Sequence, residues 1–215
     1  MTALRRHRLV RLSAAGWAAT RSQPWDAEAR ECLDFWAAQQ LPLVVTQQPS
    51  TLPEDHIALG LPAPLRWNRR RIALQVPANG LLCFDEFPLA SRIDKLLPPS
   101  VRAAWRSLSD ELEAVGVEVC VYGSHGWQAL TGLDYLHAAS DLDLRMLVPD
   151  SAAADSAVAA LSAARFDKPR LDGELMFADG SAVAWREWQN WRCARVDRFL
   201  VKRLHGAALE QTCPG

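Results

Sequence analysis

The sequence lacks any Cys-x-x-C pair, although it contains five cysteines: Cys32, Cys83, Cys120, Cys193 and Cys213. Disulfide frameworks and structural zinc sites usually use cysteines in even numbers and at short, regular spacings. An odd number of scattered cysteines therefore predicts free thiols. It favours a reducing compartment, and the cytoplasm is the expected location.

Long hydrophobic runs are also missing. No stretch reaches the roughly 20 apolar residues that a membrane span requires. The first residues, MTALRRHRLVRLSAAGW, are basic but contain neither the apolar core nor the cleavage pattern of a signal peptide. The sequence thus predicts neither membrane insertion nor secretion. The basic start is expected either to be solvated or to dock an acidic partner or a substrate phosphate.

A strong charge of either sign is absent, since the 215 residues carry a formal net charge of −1. The chain therefore has no global basic field of the kind that dominates nucleic-acid binding, and any anion site must be local. With 49% apolar and 23% charged residues, the composition is typical of a globular protein with one large or two small domains.

Prolines and polar residues between Phe87 and Ser100 interrupt the periodic patterns and predict a change of domain. We place the division between an N-terminal domain, residues 1–92, and a second domain, residues 93–215. Within the first, Arg66, Arg69, Arg70 and Arg71 surround Trp67 and Asn68. These arginines predict either a phosphate grip with an adenine stacked on the tryptophan, or a hydrated hairpin face.

The most informative stretch runs from residue 117 to residue 148, VEVCVYGSHGWQALTGLDYLHAASDLDLRMLV. It predicts a strand, a tight turn at Gly123-Ser124, a short helix, a loop and a second strand that opens at Asp141. Because strand side chains alternate between faces, Asp141 and Asp143 are expected to point the same way while Leu142 and its neighbours enter the core.

Two adjacent ionised carboxylates repel one another unless a cation lies between them. Mg²⁺ is suited to this position, because it prefers oxygen ligands and is usually held by one or two carboxylates together with substrate phosphates. Gly123 permits close approach of a ligand, and the N–H groups at the start of the following helix favour an anion. Asp141 and Asp143 are therefore predicted metal ligands, although Arg145 on the same face is an alternative counter-charge.

Downstream of this stretch, the pattern predicts a helix to about Ala164, a strand at residues 169–178 and an Asp-Gly hairpin into residues 181–185. A helix is expected from Arg186 to His205. Helical spacing would align three basic residues along one side of it, either as a cradle for pyrophosphate or as a solvated face: Arg195, Arg198 and Lys202.

Gly123-Ser124 followed by Asp141-Leu142-Asp143-Leu144 resembles the signature of the nucleotidyltransferase superfamily. The resemblance implies an α/β (α+β) fold: a polymerase β-like catalytic domain with a mixed sheet flanked by helices, here preceded by a smaller N-terminal α+β domain. It implies that Gly123 and Ser124 bind the β- and γ-phosphates. It also implies a third carboxylate on a later strand, for which Glu174 is the candidate and Asp172 its competitor.

The segments YGSHGWQALTGLDYL, SDLDL and RLDGELMFADGSAVAWREW are similar to a narrower family, the phosphoribosyl-dephospho-CoA transferases associated with malonate decarboxylase. This similarity implies that a serine of the apo acyl-carrier subunit attacks the α-phosphate of 2′-(5-triphosphoribosyl)-3′-dephospho-CoA and that pyrophosphate leaves. Two alternatives remain open: a nucleotidyltransferase that modifies a small molecule or another protein, and a non-catalytic binding module.

Overall fold

The structure is a computed structural model in which residues 4–166 and 168–214 are described. The chain forms two compact units. The first comprises Met1–Glu86, Leu133–Tyr135 and Leu204–Gly206, and the second comprises Phe87–Gly132, Leu136–Arg203 and Ala207–Gly215. The five cysteines are free thiols, as predicted. Within the described ranges, no helix is long and apolar enough to cross a membrane.

The first unit contains an antiparallel five-stranded sheet with the strand order β4-β3-β2-β1-β5 and two helices. Its strands are β1 (Leu9–Leu12), β2 (Leu43–Val45), β3 (His56–Pro62), β4 (Arg71–Pro77) and β5 (Leu81–Asp85). Its helices are α1 (Ala14–Arg21) and α2 (Ala27–Ala38).

Two arginines of the cluster in the first unit are engaged by acidic residues of the same unit. Arg66 forms an ion pair with Glu31, and Arg70 forms one with Asp26, the residue that caps α2. The Trp67 ring is buried and lies 6.0 Å from the Trp36 ring in an edge-on arrangement. Trp67 is therefore a core residue, and of the two alternatives for this segment the one that stacks an adenine on Trp67 is wrong.

The second unit contains a six-stranded mixed sheet with the order β11-β10-β9-β8-β7-β6. Its strands are β6 (Glu118–Val121), β7 (Leu142–Leu147), β8 (Leu171–Met176), β9 (Ala182–Ala184), β10 (Phe199–Arg203) and β11 (Gly206–Glu210). Its helices are α3 (Arg102–Ala114), α4 (Gly123–Thr131), α5 (Ser151–Ala163) and α6 (Trp185–Arg192).

One face of this sheet forms the core of the second unit. Leu142 and Leu144 of β7 are fully buried there with Leu112 of α3 and with Ala154 and Ala157 of α5. The alanine-rich sequence of α5 suits this position, because small side chains let a helix lie close to its neighbours. The mixed sheet with its helices, preceded by a smaller unit, confirms the predicted α+β fold class.

The predicted helix from Arg186 to His205 is confirmed only as far as Arg192 and is wrong beyond it. Helix α6 ends at Arg192, and Ala194 adopts a left-handed conformation with φ of 53°, which interrupts the helix. The chain then forms β10, in which Val201 pairs with Val183 of β9. The strand forms because Phe199 and Val201 are both buried, so alternate residues enter the core as a sheet requires.

Candidate active site

The parallel pairing of β7 with β8 brings acidic residues of two strands side by side. Asp143 lies directly opposite Asp172, and Arg145 lies opposite Glu174 two residues further along. Because strand side chains alternate and Leu144 enters the core, these four residues occupy the other face of the sheet. We call this surface the carboxylate face.

The predicted glycine turn lies against the carboxylate face. Gly123 is the first residue of α4, has φ of +57°, and lies so close to Asp143 that an added Cβ would be 1.9 Å from its Oδ2 atom. The backbone N–H of Tyr122 donates to the carbonyl oxygen of Asp143 at 2.9 Å. Ser124 follows as the second residue of α4. The N-terminus of α4 therefore meets Asp143 directly, as the sequence predicted.

The Asp143 carboxyl is in an environment that disfavours its charge. Burial is the main cause, and the nearby charges of Asp172, Asp141 and Glu174 add to it, so that the pKa of Asp143 rises from 3.8 to about 6. Arg170 opposes this rise but does not cancel it. An excess of negative charge thus accumulates around Asp143, and a cation would relieve it.

Asp141 precedes β7, and its carboxylate is bound by Arg170. The Arg170 Nε donates to Oδ1 of Asp141 at 3.1 Å, and Nη2 donates to its Oδ2. The same Nη2 is 3.3 Å from Oδ2 of Asp172. The hydrogen bonds from Arg170 lower the pKa of Asp141. Arg170 therefore bridges two of the acids that surround Asp143, a role that sequence reasoning missed.

The donor chemistry of the carboxylate face fits a hard divalent cation. Asp143 and Asp172 of this face, with Asp141 immediately before β7, offer only oxygen atoms, the ligands that Mg²⁺ prefers. In the described parts of the chain, no three Asp, Glu, His or Cys side chains already converge as a metal-binding group. The geometry gives one reason, which is that the Asp141 carboxylate is turned onto Arg170. For Asp141 to bind a cation, its carboxylate would have to leave Arg170.

The two candidates for the third carboxylate occupy different places. Asp172 is half-buried and lies opposite Asp143, and its Oδ1 accepts from the backbone N–H of Gly173 at 2.8 Å. Glu174 is 5% exposed, and its Oε1 accepts from Lys202 Nζ at 2.6 Å. Gly173 has φ of +140° and lies against the Leu144 backbone, which brings β8 close to β7 at this point. Asp172 is therefore the nearer partner of Asp143.

His125 is a further buried polar residue beside the acids that the sequence did not single out. Its Nδ1 lies 3.0 Å from the carbonyl oxygen of Asp141. A carbonyl oxygen can only accept, so Nδ1 carries the proton and the neutral ring keeps Nε2 as an acceptor. Burial lowers the pKa of His125, which favours this neutral form. The hydrogen bond ties α4 to the start of β7 and so positions Asp141.

The three predicted basic residues do not form a cradle along one helix. Arg195 and Arg198 lie on the exposed turn between α6 and β10, where Arg195 donates its backbone N–H to the carbonyl oxygen of Asn190 at 2.9 Å. Lys202 is on β10 and reaches the carboxylate face through Glu174. The helical alignment is wrong, because the chain turns after Arg192.

The strand, glycine turn, helix and acidic strand together define the class of protein: a nucleotidyltransferase-like α+β fold with an N-terminal unit. Comparison with known families identifies the family. The family described as phosphoribosyl-dephospho-CoA transferase MdcG C-terminal domain matches residues 88–212, and the corresponding N-terminal domain matches residues 5–80. The chain therefore belongs to the MdcG family of phosphoribosyl-dephospho-CoA transferases, which confirms the predicted resemblance.

Individual relatives give the same result. The phosphoribosyl-dephospho-CoA transferase of Xanthomonas campestris pv. campestris strain 8004 is 33% identical over 205 residues, which cover 95% of this chain and 92% of the relative. That of Bradyrhizobium diazoefficiens is 37% identical over 211 residues, covering 95% and 88%. No solved structure matches the chain.

Proposed function

We propose that this protein transfers the 2′-(5-phosphoribosyl)-3′-dephospho-CoA group from its triphosphate donor, 2′-(5-triphosphoribosyl)-3′-dephospho-CoA, to a serine of the apo acyl-carrier subunit of malonate decarboxylase. The observation that carries the chemistry is the meeting of Gly123 with Asp143, beside Asp172 on the parallel neighbouring strand. Membership of the family supports the donor. The acceptor comes from the sequence resemblance.

In the proposed reaction, the serine hydroxyl oxygen forms a bond to the α-phosphorus of the donor, and the bond from that phosphorus to the β-phosphate oxygen breaks. The hydroxyl proton goes to a carboxylate, and pyrophosphate leaves. Reactions of this type are accelerated mainly by positioning and by stabilisation of developing negative charge. The residues around Asp143 would therefore contribute to the rate by positioning the phosphates.

We assign roles to the chain's own residues as follows. Gly123 and Ser124 present the N-terminus of α4, whose N–H groups and dipole favour phosphate oxygens. Asp141 and Asp143, with Asp172, would hold Mg²⁺, and that ion would supply neutralisation of the polyphosphate charge when bound. Asp172 is better placed than Glu174 to complete this set, because it lies opposite Asp143.

The decisive experiment is mass spectrometry of the apo acyl-carrier subunit after incubation with this protein, Mg²⁺ and the triphosphoribosyl donor. We expect a mass increase equal to the phosphoribosyl-dephospho-CoA group and release of one pyrophosphate per carrier. A carrier with its acceptor serine changed to alanine, and a reaction with the metal chelated, should remain unmodified. Adenylylation from ATP without transfer from the donor would instead identify a different nucleotidyltransferase.

Gly123→Ala tests the contact between the turn and the acid. The added methyl group would overlap the Asp143 carboxylate, so we expect the rate of transfer to fall about 100-fold, as a displacement of about 1 Å can cause. The left-handed backbone adds about 1–2 kcal/mol of strain. Initial rates and thermal unfolding measure the two effects separately.

Gly132→Ala is the matched control for this prediction. Gly132 also has a left-handed backbone, with φ of +68°, but an added Cβ meets no atom within 4 Å. This variant should lose only the stability that the backbone strain costs and should show a nearly normal rate. If both variants lose activity to the same degree, backbone strain rather than the overlap with Asp143 is responsible, and the assigned role of Gly123 fails.

A further inference from the structure

A pocket of about 380 Å³ lies next to the carboxylate face, between the end of α5, the start of β8 and the start of α6. Its charged residues are Arg170 and Arg186, and Ser162, Phe166, Trp185 and Gln189 line it with them; its remaining lining residues are aliphatic. None of the described residues that line it is acidic. The pocket therefore combines two arginines, of which Arg170 is also paired with Asp141 and Asp172, with a small number of polar and aromatic groups, as ligand sites commonly do.

The guanidinium of Arg186 is held in a defined orientation. Its Nη2 donates to the carbonyl oxygen of Leu171 at 2.8 Å, and its Cζ atom lies 4.0 Å from the centroid of the Trp185 ring. An arginine whose plane is fixed in this way loses less conformational freedom when it binds a ligand. The pocket is thus preorganised for a planar, multidentate contact with an anion.

Arg170 connects the pocket to the acids. It lines the pocket and also contacts Asp141 and Asp172 through the hydrogen bonds described above. An anionic group held by Arg170 and Arg186 would therefore lie beside the carboxylates that we propose as ligands of Mg²⁺. Within the pocket wall, Gln189 Nε2 donates to Ser162 Oγ at 2.7 Å, so a polar amide and a hydroxyl also line the cavity.

We propose that this pocket is a pyrophosphate-binding subsite in which Arg170 and Arg186 bind the phosphate oxygens. Arginine presents its N–H donors in a planar fork that matches phosphate geometry. The donor contains this chemistry twice, in the triphosphate that yields the leaving group and in the dephospho-CoA backbone. The choice of ligand rests on the proposed function, whereas the binding of pyrophosphate by the pocket is tested independently of it.

The test is isothermal titration of the full chain with inorganic pyrophosphate and, separately, with 3′-dephospho-CoA, with divalent metal chelated. We expect Arg186→Gln to weaken the binding of at least one of them by about tenfold to a hundredfold, as loss of charge-assisted hydrogen bonds does. Arg186→Lys, which keeps the charge but loses the fork, should show an intermediate loss. Arg106→Gln removes an exposed arginine of α3 outside the pocket and should bind like the wild type.

The outcomes separate this inference from the proposed function. Wild-type affinity of Arg186→Gln and Arg186→Lys for both ligands would overturn the subsite, even if carrier modification proceeds. Arginine-dependent binding without carrier modification would uphold the subsite and overturn the function. If dephospho-CoA displaces pyrophosphate, both ligands use the pocket. If both bind at once, the pocket holds the ligand whose affinity falls in Arg186→Gln. Thermal unfolding shows whether each variant is folded. If Arg186→Gln does not fold, the test rests on Arg186→Lys.

Discussion

Asp143→Asn is expected to stabilise the second unit at neutral pH while it lowers the rate of transfer by about 1,000-fold. A loss of this size is expected where the cation that Asp143 would hold no longer stabilises transition-state charge. The stability effect follows from the pKa of about 6 that burial and neighbouring acids give to Asp143. Between the usual value of 3.8 and about 6, the folded protein binds more protons at this residue than the unfolded chain does.

The free energy of unfolding therefore falls as the pH rises from about 3.8 to about 6, and it changes little at higher pH. The pKa difference corresponds to about 2–3 kcal/mol, which a neutral asparagine avoids. With divalent metal chelated at about pH 8, we expect Asp143→Asn to raise the Tm by about 4–10 °C, and below about pH 4 the difference should disappear. Thermal unfolding across pH measures this.

Two comparisons keep this prediction falsifiable. Asp110→Asn changes an exposed acid of α3 and should alter the free energy of unfolding by no more than about 0.5 kcal/mol at any pH. Addition of Mg²⁺ should raise the Tm of the wild type by mass action and have little effect on Asp143→Asn. A variant that is less stable than the wild type at alkaline pH, or that transfers normally, would show that the carboxylate cluster has been misassigned.

Asp172→Asn and Glu174→Gln are expected to separate a role in the reaction from a role in the fold. Asp172 lies opposite Asp143 and is half-buried, so its replacement should lower transfer about 100-fold to 1,000-fold and change stability little. Glu174 is buried and bound by Lys202, so its replacement should cost about 1–3 kcal/mol of stability. Steady-state rates and chemical denaturation of both variants give the answer.

The sequence alone leaves this choice open, with Glu174 as the first candidate. A severe loss of transfer in Glu174→Gln at unchanged stability, together with a normal rate in Asp172→Asn, would return the role to Glu174. Lys202→Met provides a second measurement. If Glu174 acts through its ion pair in the fold, then Lys202→Met and Glu174→Gln should show coupled effects on stability in a double-mutant cycle.

Local patterns predicted the elements that carry the site. The alternation of Leu142, Asp143 and Leu144 fixed both the strand and the face on which the acid lies, because a strand has a period of two residues. The glycine at 123 predicted a close backbone approach, and the structure has it against Asp143. The arginine-rich segment after residue 186 was wrongly predicted to be one long helix. Charges spaced by three and four also occur where a short helix is followed by a turn and a strand.

The residues that meet from distant parts of the chain could not be predicted in this way. Arg170 reaches Asp141, and Lys202 reaches Glu174, only because β7, β8, β9 and β10 are neighbours in one sheet.

By itself, the sequence determined the strand, the glycine turn and helix that follow it, the acidic strand after them, and the family to which they belong. The tertiary structure alone decided which acid faces Asp143 and which cations neutralise the others. The physical reason is that periodicity is encoded in adjacent residues, whereas strand register and ion pairing depend on packing between segments far apart in the chain.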